Sequence, residues 1–325
     1  MKTWGRATSA AFLLAGVTAA AQVGIAVTVR ILQLDARFDD VDAWSAQIAL
    51  LAWFTLAAVM LGTVVSSRNA GLGTRFSAAI AAALGGALGS AVALVPARHA
   101  DVPLGDPLLL AGIAIGLAAA AGTLLAFVSA HGRALAWNAI VYGIVVWALL
   151  GEATTGPDPA RLGQLSEARL SGPLVHNLGL WGPPAAAGVL ALVVAVLARV
   201  RGQHRLPIAL SGLAGPAMVA IAYLVAGPGS SDYQKIPWVA AMLAAGVGLA
   251  VSVVVGLPPR RDDAVAEAMS TDTAPLPQRQ PGPVADGFAP RPASRRPDST
   301  ESWLNDLSPR RTPEDKQQFV PRPLG

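Results

Sequence analysis

Residues 236–263 read IPWVAAMLAAGVGLAVSVVVGLPPRRDD, and this stretch decides the fold. The twenty-two residues from Ile236 to Leu257 carry no charge. An apolar run of about 20 residues is long enough to cross a bilayer as a helix. Pro258 and Pro259 end the run, and Arg260 and Arg261 follow. Arginines beside a span favour the cytoplasmic side. The chain is therefore expected to leave the membrane for the cytoplasm at this point.

The whole sequence agrees with a membrane reading. It is 53% hydrophobic and 14% charged, against about 25% charged in soluble domains. Its mean hydropathy is +0.50. There is no cysteine, which excludes disulfides, thiolate metal sites and a cysteine-borne lipid anchor. The net charge of +4 is what membrane topology signals produce, and nucleic-acid binding is not expected from it.

Working back from Ile236, seven more apolar runs appear. The expected spans are 7–29, 44–65, 76–95, 107–129, 134–151, 178–198, 206–226 and 236–257. The first follows Lys2 and Arg6 and passes Ala19-Ala20-Ala21, a small-residue stretch like a signal-peptide cleavage site. Its apolar run continues through Val23–Val27, so it is read as a retained helix. The start of the sixth span, placed at 178, is left open, because Gly182-Pro183-Pro184 lies inside the run and proline disfavours a helix interior.

Charge placement tests the count. With both termini cytoplasmic, the inner segments up to Arg261 hold Lys2, Arg6, Arg68, Arg75, Arg133, Arg199, Arg201, Arg205, Arg260 and Arg261. They hold no Asp or Glu. The outer segments hold Arg30, Arg37, Arg98, Arg161, Arg169 and Lys235 against ten carboxylates between Asp35 and Asp232. Positive charge belongs inside, and dropping one span would scramble this order. The fold class is thus an all-α bundle of about eight transmembrane helices, both ends cytoplasmic.

Small residues recur in the spans. Gly85-x-x-x-Gly89 and Gly112-x-x-x-Gly116 are spaced for close helix approach. Packing inside the bundle is the expected use, and a homo-oligomer face is the alternative. No internal repeat is claimed from Trp44, Pro107, Pro183 and Trp238, all near span starts.

Beyond Leu257 the character changes. Thirteen of the 25 prolines lie in 258–325, and such a segment buries too little apolar surface to fold alone. It is expected to be a disordered cytoplasmic tail. Within it, Asp298 or Ser299 is placed to cap a short helix. Trp303, Leu304 and Leu307 would share one face of that helix, which would order only against a partner. A cytoplasmic protein partner is therefore expected to use 298–325.

Chemistry is sparse. No ionisable residue falls at mid-membrane, where one would mark function. Gln22 is the deepest strongly polar side chain, with Thr55 and Asn138 also within spans. Interhelical hydrogen bonds are their expected use; for Gln22 the alternative is a place on a solute path. Asp35, Asp39, Asp40 and Asp42 crowd the first outer loop without the alternation of a calcium loop, and a solvated acidic loop is expected. The longest outer loop, 152–177, carries Glu152, Glu167 and His176. These are the weak catalytic candidates, with His176 as base, and Leu162–Leu174 is expected to lie on the membrane surface. No nucleotide-binding motif and no metal-ligand spacing is present, and no cofactor is expected.

Three functions follow. The first is a non-enzymatic scaffold in a bacterial plasma membrane, recruiting partners through its tail. The second is a permease or channel for a neutral or lipid-like solute, which requires a cavity at membrane depth that includes Gln22. The third is an envelope-lipid enzyme using the 152–182 loop.

Overall fold

The computed structural model describes residues 2–68, 70–103, 105–154, 160–164 and 173–257, with backbone alone at 2, 3 and 173–176. Eight helices are long and apolar enough to cross a membrane. They are α1 (Lys2–Thr28), α2 (Val41–Ser67), α3 (Leu72–Ala97) and α4 (Pro107–Ser129). Then come α5 (Arg133–Ala153), α6 (Pro173–Val200), α7 (Arg205–Ala226) and α8 (Asp232–Gly256). Among the described residues the only extended pairing is a single bridge, Arg37 with Asp101. The protein is an all-α polytopic membrane bundle, and the inner cations and outer carboxylates place both ends of it on the cytoplasmic face.

Two helices form the centre. In their most apolar windows, α2 is 83% buried and α7 72%, against 28–50% for the other six. Leu50, Leu51, Trp53, Phe54 and Leu56 of α2 are fully enclosed, whereas Leu13, Leu84, Leu124, Val189 and Val254 point out of the bundle. A helix apolar all round is accommodated only by other helices or by lipid. Here α2 and α7 take the first environment, and the rest face both.

Around each central helix sits a triplet. Helix α1 packs on α3 with α2 beside both, and α6 packs on α8 with α7 beside both. The hairpin α4–α5 separates them, so the second triplet crosses in the opposite sense.

Glycine permits the closest approaches. Gly85 and Gly89 of α3 lie against the backbone carbonyls of Phe12 and Gly16 on α1, where a methyl group would collide. Gly212 and Gly248 meet backbone to backbone between α7 and α8. Helix association inside lipid has no hydrophobic drive and relies on such van der Waals contact. By contrast, Gly112 and Gly116 of α4 meet nothing within 4 Å, so the two Gly-x-x-x-Gly pairs serve different surroundings.

Gly182-Pro183-Pro184 does not set the start of the sixth span. Helix α6 begins at Pro173 and runs through both prolines. Proline costs a helix one hydrogen bond and crowds the carbonyl four residues back, yet membrane helices keep such prolines where neighbours compensate.

Candidate functional site

Two departures from solid packing lie along one seam, between α2 and α5. Both helices pack on α7, but they meet each other only sparsely. At membrane depth this leaves a cavity of about 230 Å³. Its walls include Trp53, Met60 and Val64 of α2, Ile140, Gly143 and Trp147 of α5, and Met218 of α7. Trp53 and Trp147 meet edge to face at 6.0 Å between centroids, and Phe54 stacks on Trp147 at 5.4 Å. Small Gly143 and Ala57 leave the space that larger residues would fill.

Gln22 of α1 lines the same cavity. The interhelical hydrogen bond expected of it is not made: Gln22 Oε1 is buried without a partner, as is Trp53 Nε1. Buried polar atoms are nearly always paired; Trp44 Nε1, Asn138 Nδ2 and Gln234 Oε1 elsewhere in the core also lack partners, and this cavity brings two such atoms, an acceptor and a donor, onto one lining. The other two buried polar candidates behave differently. Thr55 Oγ1 donates to Leu51 O of its own helix at 3.0 Å and accepts from the Ser90 hydroxyl of α3 at 2.8 Å. Asn138 Oδ1 accepts from the Gly215 N–H of α7 at 2.9 Å. That bond sits one residue before Pro216, whose ring disturbs the α7 hydrogen-bond ladder.

Toward the cytoplasm the groove widens into a second recess of about 360 Å³. Val64 and Ile140 line both spaces. Arg68 follows the end of α2, Arg75 lies in the first turn of α3, and His131 and Arg133 flank the start of α5. No carboxylate lines this recess, and among the described residues none pairs with Arg68, Arg75 or Arg133. Arg75 Nε and the wholly buried Ser129 Oγ lack hydrogen-bond partners. His131 Nδ1 sits 2.7 Å from Phe127 O, which orients the ring. Helix α5 has Gly132 as its N-cap, and the Ala134 N–H in its first turn donates to Gln203 Oε1 at 3.1 Å.

The groove opens sideways. Ile144 is 63% exposed, Trp137 49% and Val65 55%, and in a membrane such surfaces meet lipid. From Arg68 to Trp53 is 15 residues of helix, about 22 Å at 1.5 Å per residue. One leaflet's hydrocarbon is about 15 Å deep. The groove therefore spans a leaflet, with a cationic end at the cytoplasmic interface.

The outer face is built differently, and two expectations there are corrected. Asp42 is not solvated: it is 1% exposed. Its carboxylate accepts from the Ser230 N–H (2.9 Å), the Ser231 N–H (2.6 Å) and both serine hydroxyls. The turn between α7 and α8 brings these donors over it because Gly229 adopts φ +69°. Asp40 caps α2 by accepting from the Asp42 N–H, while Asp39 stays in solvent beside Arg37 at 3.3 Å. Nor does the start of 162–174 lie on the membrane surface. Leu162 is buried, and its carbonyl accepts from the Tyr223 hydroxyl at 2.8 Å.

Of the catalytic candidates, only the Glu152 side chain lies among the described residues. Glu167 lies outside the described residues, as does the side chain of His176, whose backbone is in α6. Glu152 is partly buried and has an interaction of its own. Trp303, Leu304 and Leu307 also lie outside the described residues. No group of three metal-ligating side chains occurs among the described residues.

Arg68, Arg75, Arg133 and Ser129 escape a reading of the sequence as functional residues. Three register there only as topology charges, and nothing in linear order says that they meet.

Fold and site together define an eight-span helical membrane protein with a laterally open, one-leaflet groove. The chain matches no family model, no curated protein and no solved structure.

Proposed function

We propose that this protein binds a lipid-like molecule in the groove between α2 and α5, as a lipid-binding or lipid-handling protein of a bacterial plasma membrane. The observation that carries the reading is the cavity at membrane depth, lined by Gln22 and otherwise mostly by Trp, Met, Ile, Val, Ala and Gly. Ligand sites combine apolar walls with a few polar groups, and this one opens where acyl chains lie. A polar solute fits less well, because Thr55 and Thr63 are occupied by hydrogen bonds elsewhere.

Recruitment of a cytoplasmic partner through Trp303, Leu304 and Leu307 stands beside this as a second proposal, carried by their shared face in the sequence alone. Catalysis by the 152–182 loop, with His176 as base, rests on its residues in the sequence alone.

Native mass spectrometry of the purified protein tests the groove. Wild type should retain lipid through mild detergent exchange. Gly143→Trp and Ala57→Trp, which fill the cavity, should lose most of it while remaining folded. Equal retention by both filled variants would overturn the proposal.

A further inference from the structure

We infer that the cytoplasmic recess is a headgroup site, and that its ligand is an anionic, phosphate-bearing phospholipid of the inner leaflet. The inference rests on the reading of the α2–α5 groove as a lipid site and adds the identity of the polar end.

Topology alone accounts for arginines on this face, but not for their arrangement. Arg199 obeys the same rule, and its guanidinium donates to Val255 O near the end of α8. It is thereby spent on a helix terminus, as cations near C-terminal carbonyls commonly are. Arg68, Arg75 and Arg133 come from three separate places in the chain, line one recess, and among the described residues are paired with no carboxylate. A guanidinium offers five donors in a planar fork suited to phosphate oxygens.

A second, independent observation points to a ligand. Ser129 is fully buried, lines the recess, and its hydroxyl has no partner. Neighbouring serines differ: Ser67, also fully buried, donates to Thr63 O at 2.7 Å. An unpaired buried hydroxyl is costly, and it is a donor of the kind that phosphate accepts. Arg75 Nε is the other unpaired donor on this wall.

The rest of the lining decides between lipid and free phosphate. Val64, Val65, Ala136, Trp137 and Ile140 form an apolar side that continues into the deeper cavity. A soluble anion gains nothing from these residues. A phospholipid uses both ends, its phosphate among the arginines and one chain along Val64, Ile140, Gly143 and Met218. Trp137, exposed at this level, is of the type that sits at headgroup depth.

The test compares phosphatidylglycerol with phosphatidylcholine of identical chains, titrated into delipidated full-length protein and read by native mass spectrometry. Phosphatidylglycerol should bind at least tenfold more tightly. Arg75→Gln and Arg133→Gln should each reduce that preference about fivefold, the effect of one cation at a membrane surface. Lysine at the same positions should restore part of it. Arg201→Gln, an exposed inner cation outside the recess, should leave it intact.

Equal binding of the two lipids, with both still lost in Gly143→Trp, would overturn the headgroup inference and leave the groove standing. Loss of neither in Gly143→Trp would overturn both. Displacement of bound lipid by millimolar inorganic phosphate alone would overturn the lipid assignment in favour of a soluble anion.

Discussion

The carboxylate of Asp42 accepts from both the backbone N–H and the hydroxyl of Ser231, which joins the start of α2 to the start of α8. Ser230 supplies two more donors to the same carboxylate. A charge-assisted hydrogen bond is about twice as strong as a neutral one, and a buried carboxylate without donors is not tolerated. The clasp therefore ties the two triplets together at the outer face.

Asp42→Asn exchanges an acceptor of four donors for a group that brings N–H donors of its own. It should destabilise the bundle by about 3 kcal/mol, the scale of breaking a buried charged network. Asp39→Asn, at an exposed ion pair, should cause no measurable change. Unfolding midpoints of the two variants in the same detergent check this. Equal midpoints for Asp42→Asn and wild type would show that the clasp is not formed.

Asn138 and Pro216 should be energetically coupled. Asn138→Ala removes the acceptor for the Gly215 N–H inside the bundle and should cost about 1 kcal/mol, within the range for polar contacts between membrane helices. In a Pro216→Ala background the α7 ladder regains regular geometry and can satisfy Gly215 itself. The same Asn138→Ala change should then cost much less. A double-mutant cycle reads the difference directly, and strict additivity would count against the account.

The two Gly-x-x-x-Gly pairs should respond in opposite ways. Gly85→Leu and Gly248→Leu would drive a side chain into a facing backbone, and each should cost about 3 kcal/mol or prevent folding. Gly116→Leu, in open space, should leave monomer stability unchanged. If α4 is a homo-oligomer face, Gly116→Leu alone should shift the oligomeric state, seen by light scattering of the full chain. Intact oligomers in that variant would remove α4 from consideration.

The spans were legible in the sequence because length and apolarity are local properties. The run 107–129 coincides with α4, and Ile236–Leu257 falls within one residue of the end of α8. The orientation was legible because charge counts sum over loops. The prolines at 183 and 184 leave the start of α6 open in the sequence, since a local cost says nothing about what neighbouring helices compensate. Asp42 was read as solvated because its donors lie 188 and 189 residues away. The groove was not legible at all. Its walls are residues three to four apart on α2 and α5, mostly ordinary apolar side chains, and its polar end is written in arginines that topology already demands. Only the sparse meeting of two particular helices turns those residues into a site.

A density map of the full-length protein in a phosphatidylglycerol-containing nanodisc tests the central claim most directly. The account predicts an elongated density between α2 and α5, running from the side chains of Arg68, Arg75 and Arg133 past Ile140 toward Gly143 and Met218. A map in which α2 and α5 close on each other, with Val64 packed against Ile140 and Met218 and no density between them, would contradict it.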